Sequence, residues 1–240
     1  MADAVAAGPS ASLMTAKAQV TRERIYRSAL DLFTASGYEK TTMRMIADRA
    51  GVNVALSYHY FPSKEHLVFE FYLRFAGDFI TASAAVLEDS ARLESRLTGV
   101  AETMFALAGP FHGFAGSLFA TAASPASPLN PFSEEFTPVR DDTIALFARV
   151  IDGGRPRVPE HLAEELPFLL WVFSLGLLYC WMHDHSEHQQ KTRIILKHSV
   201  RLIVGGVRLG SSPGSRYFLR QVLSVSYLVR SSLPLAADGA

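Results

Sequence analysis

Cys180, His183, Asp184, His185 and His188 fall within nine positions of a 240-residue chain, and sulfur, nitrogen and oxygen donors this close could hold a metal ion. On a helix, Cys180 and His183 share a face at i, i+3, whereas His183 and His185 do so only if the helix has ended. The plainer reading is a polar helix end, where histidine is favourable. A helical metal-binding enzyme using the His183–His188 cluster is therefore the alternative reading, not the first. The sequence carries no paired catalytic carboxylates, Gly-rich phosphate loop or Gly-x-Ser-x-Gly elbow. No catalytic residue, metal site or cofactor is expected. Cys180 is the single cysteine, which excludes an internal disulfide and a four-ligand site built mainly from thiolates.

A second group suits a polyanion. Lys17 to Lys64 contains eight basic residues against four acidic ones, although the whole chain has 23 of each. Cations in this segment can neutralise phosphate. Within it, Arg49-Ala50-Gly51-Val52-Asn53 reads as a tight turn between two short helices, with Gly51 giving the backbone freedom and Val52 plugging the core. The helix that follows carries no lysine, arginine or carboxylate: Val54, Ala55, Leu56, Ser57, Tyr58, His59, Tyr60. Small residues there permit close approach to a groove, and tyrosine and histidine supply hydrogen bonds to phosphates or base edges.

The run TTMRMIADRAGVNVALSYHYFPSKEHL, residues 41–67, preceded by ALDLFTASGYEKTT, resembles the N-terminal domain of the TetR family of transcriptional regulators. The match covers about Thr21 to Leu73. The resemblance implies that Thr42, Tyr58, Tyr60 and Lys64 hold phosphates, and that Arg44, Val54, Ala55 and His59 face base edges. Position 57 is Ser where the family often has an apolar core residue, and position 60 is Tyr where His is common. Val54 offers no polar base-reading group, which leaves specificity to Arg44, His59 and contacts with thymine methyls. The resemblance further implies a homodimer on double-stranded, pseudo-palindromic operator DNA, most simply a repressor, released by a small-molecule effector.

These residues must be positioned by helices. Period-two alternation is almost absent and apolar residues recur at three and four, so the chain reads as all-α, with about nine helices. A flexible tail (1–18) precedes a three-helix helix-turn-helix DNA-binding domain (19–64). A larger helical ligand-binding and dimerisation domain (65–210) and a C-terminal tail (211–240) follow. The first helix runs from about Thr21 to Ser36, with Ile25, Ala29, Leu32 and Phe33 as its stripe, and Gly37 is a left-handed cap. Thr41 or Thr42 caps the second, Asn53 caps the third over 54–61, and Ser63 caps a long helix to about Ser90. Further helices are expected over 91–107, 111–122, 134–151, 160–183 and 189–209. Gly109-Pro110, the Pro-rich 124–131 and 153–159 are breaks. A short helix-compatible stretch lies at 217–229.

Leu166 to Met182 is uncharged over 17 residues, at the short limit for a membrane span, and reads better as a buried interface helix. No membrane partner is expected, and the setting is cytoplasmic. Leu166, Leu169, Phe173 and Leu177 on this helix are dimerisation candidates. So are Ile195, Leu202 and Leu209, which recur every seven residues on the next helix. The resembled family dimerises through its last two helices. Phe105, Phe111, Phe114, Phe119, Phe147 and Trp171 suggest an apolar pocket between helices for a hydrophobic or amphipathic ligand. The charge balance is uneven: residues 65–190 hold 7 basic and 17 acidic residues, and residues 191–240 hold 8 and 1. An acidic body would be repelled by DNA while the basic head is drawn to it.

Overall fold

Thr15, Thr42 and Asn53 each stand in extended backbone at a helix start and accept an amide with the side chain, from Ala18, Met45 and Leu56 respectively. Each satisfies one of the amide groups that a helix leaves unpaired at its first turn. These caps set α1 (Ala16–Ser36), α2 (Met43–Ala50) and α3 (Val54–Tyr60). The computed structural model describes residues 15–122, 124 and 127–210, without the side chains of Phe114, Ser117, Ala120 and Thr121. The rest of the expected N-terminal tail and the whole C-terminal stretch, including 217–229, lie outside the described residues. α1 begins at Ala16, so the tail expected to reach Ala18 gives way earlier, at the Thr15 cap.

Two glycines end helices in backbone that a side chain would strain. Gly51 is left-handed (φ 62°, ψ 39°), with its amide bonded to Asp48 and the Val52 amide to Ala47, at 3.1 and 3.0 Å. That paired pattern closes α2 and turns the chain into α3. Gly37 is not the left-handed helical cap expected: φ 84° with ψ 155° lies in a region open essentially to glycine alone.

Seven more helices follow among the described residues: α4 (Lys64–Asp89), α5 (Leu93–Ala108), α6 (His112–Ala122), α7 (Thr137–Asp152), α8 (Glu160–Ala163), α9 (Leu166–Met182) and α10 (Gln190–Gly210). The expected 160–183 helix is two helices, because Pro167 lacks an amide to donate and fits only a first turn. Pro138 likewise sits in the first turn of α7, three residues after the expected start. At Gly109-Pro110 the chain makes one 3-10 turn and continues directly into α6.

Apolar burial gathers in two large cores and a small third cluster of Ala76, Phe136 and Val139. Ile25, Ala29, Phe33, Ile46 and Phe61 form the head's core, joined by Leu67, Val68 and Phe71 of α4 and by Leu118 and Ala122 of α6. A larger core joins α4, α5, α7, α9 and α10 around residues such as Phe79, Val100, Val150, Trp171 and Val200. α4, about 39 Å long at 1.5 Å per residue, belongs to both. The division expected at residue 64 thus falls just before a helix whose first turns complete the head.

Two buried arginines organise the body. Arg96 donates to the carbonyls of Leu87 and Ser90, at the end of α4, and of Arg149 and Val150, at the end of α7. Its charge meets the negative ends of two helix dipoles in place of a carboxylate. Arg140 donates to Pro131 and Ser133 and so holds the chain between α6 and α7 in place.

Candidate nucleic-acid interface

α3 turns its small and aromatic residues outward because its inward residue is satisfied locally. Ser57 is fully buried and donates to the Val54 carbonyl at 2.7 Å, so a hydroxyl occupies a core position without an unmet bond. Phe61, the next buried position, is 2% exposed in the head core. Opposite them Ala55, Tyr58 and His59 are exposed, at i, i+3 and i+4 on one face. Val54 and Tyr60 are half-buried at its edges, and the Tyr60 ring lies edge-on to His59 at 5.3 Å. On the adjoining α2, Thr42 and Arg44 are both exposed, and the Thr42 hydroxyl is engaged in the cap.

Lys64 stands apart from these by being held. Its ammonium donates to the Tyr38 carbonyl at 3.0 Å and lies 4.3 Å from the centre of the Tyr38 ring. The Tyr38 hydroxyl in turn donates to Glu65 at 2.9 Å. Burial opposes ionisation of Glu65, but bonds from Ser63, its own amide and Tyr38, with the Lys64 charge, hold its carboxyl below the usual value. An ammonium has three protons, so Lys64 keeps donors for a phosphate while being fixed in place.

The count of basic residues overstated the charge that the head can offer. Arg22 makes a two-pronged bond to Glu70 at 2.9 and 2.8 Å, Arg27 pairs with Glu23 at 2.7 Å, and Arg49 pairs with Asp31 at 3.0 Å. Among the described residues, Arg24, Lys40 and Arg44 have no carboxylate partner. Sequence reasoning missed the α1–α4 network. Glu23/Arg27 and Glu70/Arg74 are each visible at i, i+4, but their cross-pairing is not.

The dimerisation candidates divide by face. Ile195 is 42%, Leu202 77% and Leu209 62% exposed, on the side of α10 turned away from its buried Leu196, Val200 and Val204. Leu177 is corrected: it is 2% exposed, packed inside its own chain, and unavailable to a second one. Leu166, Leu169 and Phe173 are half-buried. A helix apolar all round, such as α9, gives no periodic signal of which face looks inward.

The metal alternative does not assemble. No group of three or more His, Cys, Asp and Glu among the described residues could hold a metal ion. Asp184 is buried, and its two oxygens accept from Ser186 and Thr192, amide and hydroxyl of each. Those bonds, the Ser186 hydroxyl first, hold its carboxyl far below the usual range against the opposing effect of burial. His183, His185 and His188 are exposed. Among the described residues no helix is long and apolar enough to cross a membrane.

A cavity of about 140 Å³ lies between α4, α5, α6, α7 and α9. Of the aromatic candidates Phe111, Phe119 and Trp171 line it. Phe105 is corrected: it stacks on Trp181 at 6.0 Å, nearly parallel, and stands behind the wall. Phe147 is corrected too, packing around a separate void of about 20 Å³ between α5, α7, α9 and α10. The Phe114 side chain lies outside the description. Phe136, another of the aromatics between the head and the last helices, lines it as well; sequence reading missed Phe71, Phe75 and Phe79, whose rings also border the cavity.

A short three-helix head with an exposed second-to-third helix unit, on a helical body with its own cavity, is the architecture of a helix-turn-helix regulator. Residues 17–71 match the model of bacterial regulatory proteins of the tetR family, and residues 96–223 match the tetracyclin repressor-like C-terminal domain. The chain belongs to the TetR family. It is 39% identical over 74 residues to the "Probable HTH-type transcriptional regulator YttP" of Bacillus subtilis, an alignment covering 29% of this chain and 36% of that protein. It is 49% identical over 47 residues to the HTH-type transcriptional repressor KstR of Rhodococcus jostii, covering 20% and 22%. The chain thus spans about a third or less of the length of these relatives. Among solved structures, the fatty acid degradation regulator FadR of Bacillus halodurans superposes with a TM-score of 0.60 at 18% identity, covering 78% of this chain and 96% of that one. Salmonella enterica GusR does so with 0.58 at 20%, covering 81% and 97%. At such identities these show a shared fold.

Proposed function

We propose that the chain is a ligand-responsive, cytoplasmic transcriptional repressor. It binds pseudo-palindromic operator DNA as a homodimer and is released by a small apolar or amphipathic molecule. The reading is carried by the exposed face of α3, where Ala55, Tyr58 and His59 stand outward with no carboxylate among them while Arg44 stands exposed on α2. Such a face enters a major groove without repelling it, and the basic residues around it supply phosphate contacts. Ile195, Leu202 and Leu209 are apolar, exposed and seven residues apart, which suits pairing of α10 with a second copy. A two-fold dimer carries two heads and reads two half-sites a helical turn, or a multiple of one, apart.

Coupling runs through α4. Phe71 lies in the head core and in the cavity wall, so a molecule that favours one wall position also favours one head position. A ligand acts only through its difference in affinity for the two arrangements. The test is binding of the purified protein to DNA fragments from around its own gene at increasing salt. A tight complex that weakens steeply with salt, on a site with two-fold symmetry, is the expected result. Salt-insensitive or absent binding across such fragments overturns the proposal.

A further inference from the structure

The cavity beneath α4 has an unusual poverty of hydrogen-bonding groups. Among the described residues no lysine, arginine, histidine or carboxylate lines it. An ionised ligand would lose its hydration there and find no counter-charge, a penalty that ordinary binding does not offset. Tyr72 is the titratable residue in the wall. Burial pushes its phenol well above the usual value, so it stays neutral.

Among the described residues, two aliphatic hydroxyls line the wall beside the Tyr72 phenol, and both are already donating. Thr143 gives its proton to the Val139 carbonyl at 2.7 Å, and Ser174 gives its proton to Trp171 at 2.6 Å. Each oxygen keeps a lone pair and has no proton left to offer. A ligand group facing them must therefore be a donor. The remaining wall is rich in rings, among them Phe75, Phe79, Phe111, Phe136, Trp171 and Trp181, which favour edge-to-face contact with another ring. At about 140 Å³ the space resembles apolar cavities of about 150 Å³ that stay dry and admit benzene. A shallower groove shares Phe119, Pro131 and Leu175 with the cavity and leads outward past Asn130 and Tyr179, giving a short substituent a way to extend.

We propose that this cavity takes a small uncharged aromatic molecule whose polar group is a hydrogen-bond donor, a phenol with a short alkyl chain, and that Thr143 and Ser174 accept the bond. The proposal rests on the reading of the cavity as the effector site. The chain's two tryptophans, Trp171 and Trp181, both line the cavity, so intrinsic fluorescence reports occupancy without an added dye.

The experiment titrates the full chain at pH 7.5 with 4-propylphenol, propylbenzene and 4-propylbenzoate, reading tryptophan emission and, in parallel, affinity for the DNA site. The phenol should give a saturable change. Propylbenzene should bind about three- to tenfold more weakly, the worth of one hydrogen bond. The benzoate should bind at least about a hundredfold more weakly, because its charge has no partner in the wall. Thr143→Val and Ser174→Ala together should reduce the phenol's advantage over propylbenzene, compared within the variant, to about twofold or less. An unchanged circular dichroism spectrum and thermal melt are the control for folding. Benzoate binding as tight as the phenol's, no saturable change with the phenol, or an undiminished phenol advantage in the double variant overturns the ligand class. A phenol that fills the cavity but leaves DNA affinity unchanged overturns the effector reading and leaves the ligand class standing. A benzoate that binds and releases DNA does the reverse.

Discussion

Arg74 of α4 reaches back to Glu23 of α1 at 2.7 Å, across 51 residues of sequence. Its second bond, at 2.8 Å, goes to Glu70, which also receives Arg22. Five charges on two helices therefore form one chain, Arg27–Glu23–Arg74–Glu70–Arg22. It ties the head's first helix to the helix that also forms a wall of the cavity. Aromatic faces close over it: Arg74 lies 4.1 Å from the Tyr26 ring centre and Arg22 4.7 Å from that of Phe61. The network ties α1 to α4 through side chains at both Glu23 and Glu70.

Glu70→Gln should lower stability by about 1–2 kcal/mol, since a partly exposed pair contributes less than a buried one. For a chain of this size that corresponds to a fall in Tm of roughly 3–6 °C. Burial raises the Glu70 pKa, but Arg22 and Arg74 more than offset it, so the folded value lies below the ordinary 4.5. Its contribution is therefore complete above about pH 4.5 and fades as pH falls through the lowered value. Thermal melts at pH 7 and pH 4 check this: the gap between wild type and Glu70→Gln should narrow at the lower pH.

Arg44→Ala should weaken operator binding by about 1–3 kcal/mol and relax preference at one base position in each half-site. Arg27→Ala, which removes a cation already paired with Glu23, should change affinity much less. Competition binding against a set of single-base operator variants separates the two. Equal losses for both would remove Arg44 from the reading set.

If α10 pairs with a second copy as proposed, Leu202→Glu should give a folded monomer, because the side chain is 77% exposed in the described chain and its replacement removes little from the chain's own core. Leu177→Ala should instead lower stability by about 2–5 kcal/mol without a specific change in oligomeric state, since it opens a void in the chain's own core. Light scattering and circular dichroism on both variants distinguish these effects.

Asp184→Asn turns one accepting oxygen into a donor facing groups that already donate, either those of Ser186 or those of Thr192. The corner between α9 and α10 should loosen, with faster hydrogen exchange at the Thr192 amide and little change in the head. In the wild type the Asp184 carboxyl sits far below its ordinary range, so the corner should hold until strongly acidic pH. A corner that opened near pH 5 would contradict this.

The reading head was legible because its instructions are local. The caps Thr42 and Asn53, the turn at Gly51 and the stripe Ile25–Ala29–Phe33 act within a few residues of each other, and each stands as its spacing requires. Local logic has limits even there. Ser57 reads as a polar departure from the family pattern, yet it is buried because its hydroxyl finds the Val54 carbonyl one turn back.

Sequence by itself determined which segments are helices, where most of them end, and which short helix carries an uncharged face ringed by basic residues. Those properties follow from backbone satisfaction and helical period, which need no distant partner. Tertiary structure decided which arginines remain for phosphate, which leucines of α9 point inward, and which rings border the cavity. Arg22 and Arg44 are the same residue type in the same basic segment. They differ because α4 brings Glu70 to one of them and no carboxylate to the other among the described residues. Phe75 and Phe105 are likewise both aromatic residues on body helices, but only Phe75 looks into the cavity, because Trp181 stacks over Phe105. Such outcomes depend on contacts between helices far apart in sequence, and no local pattern encodes them.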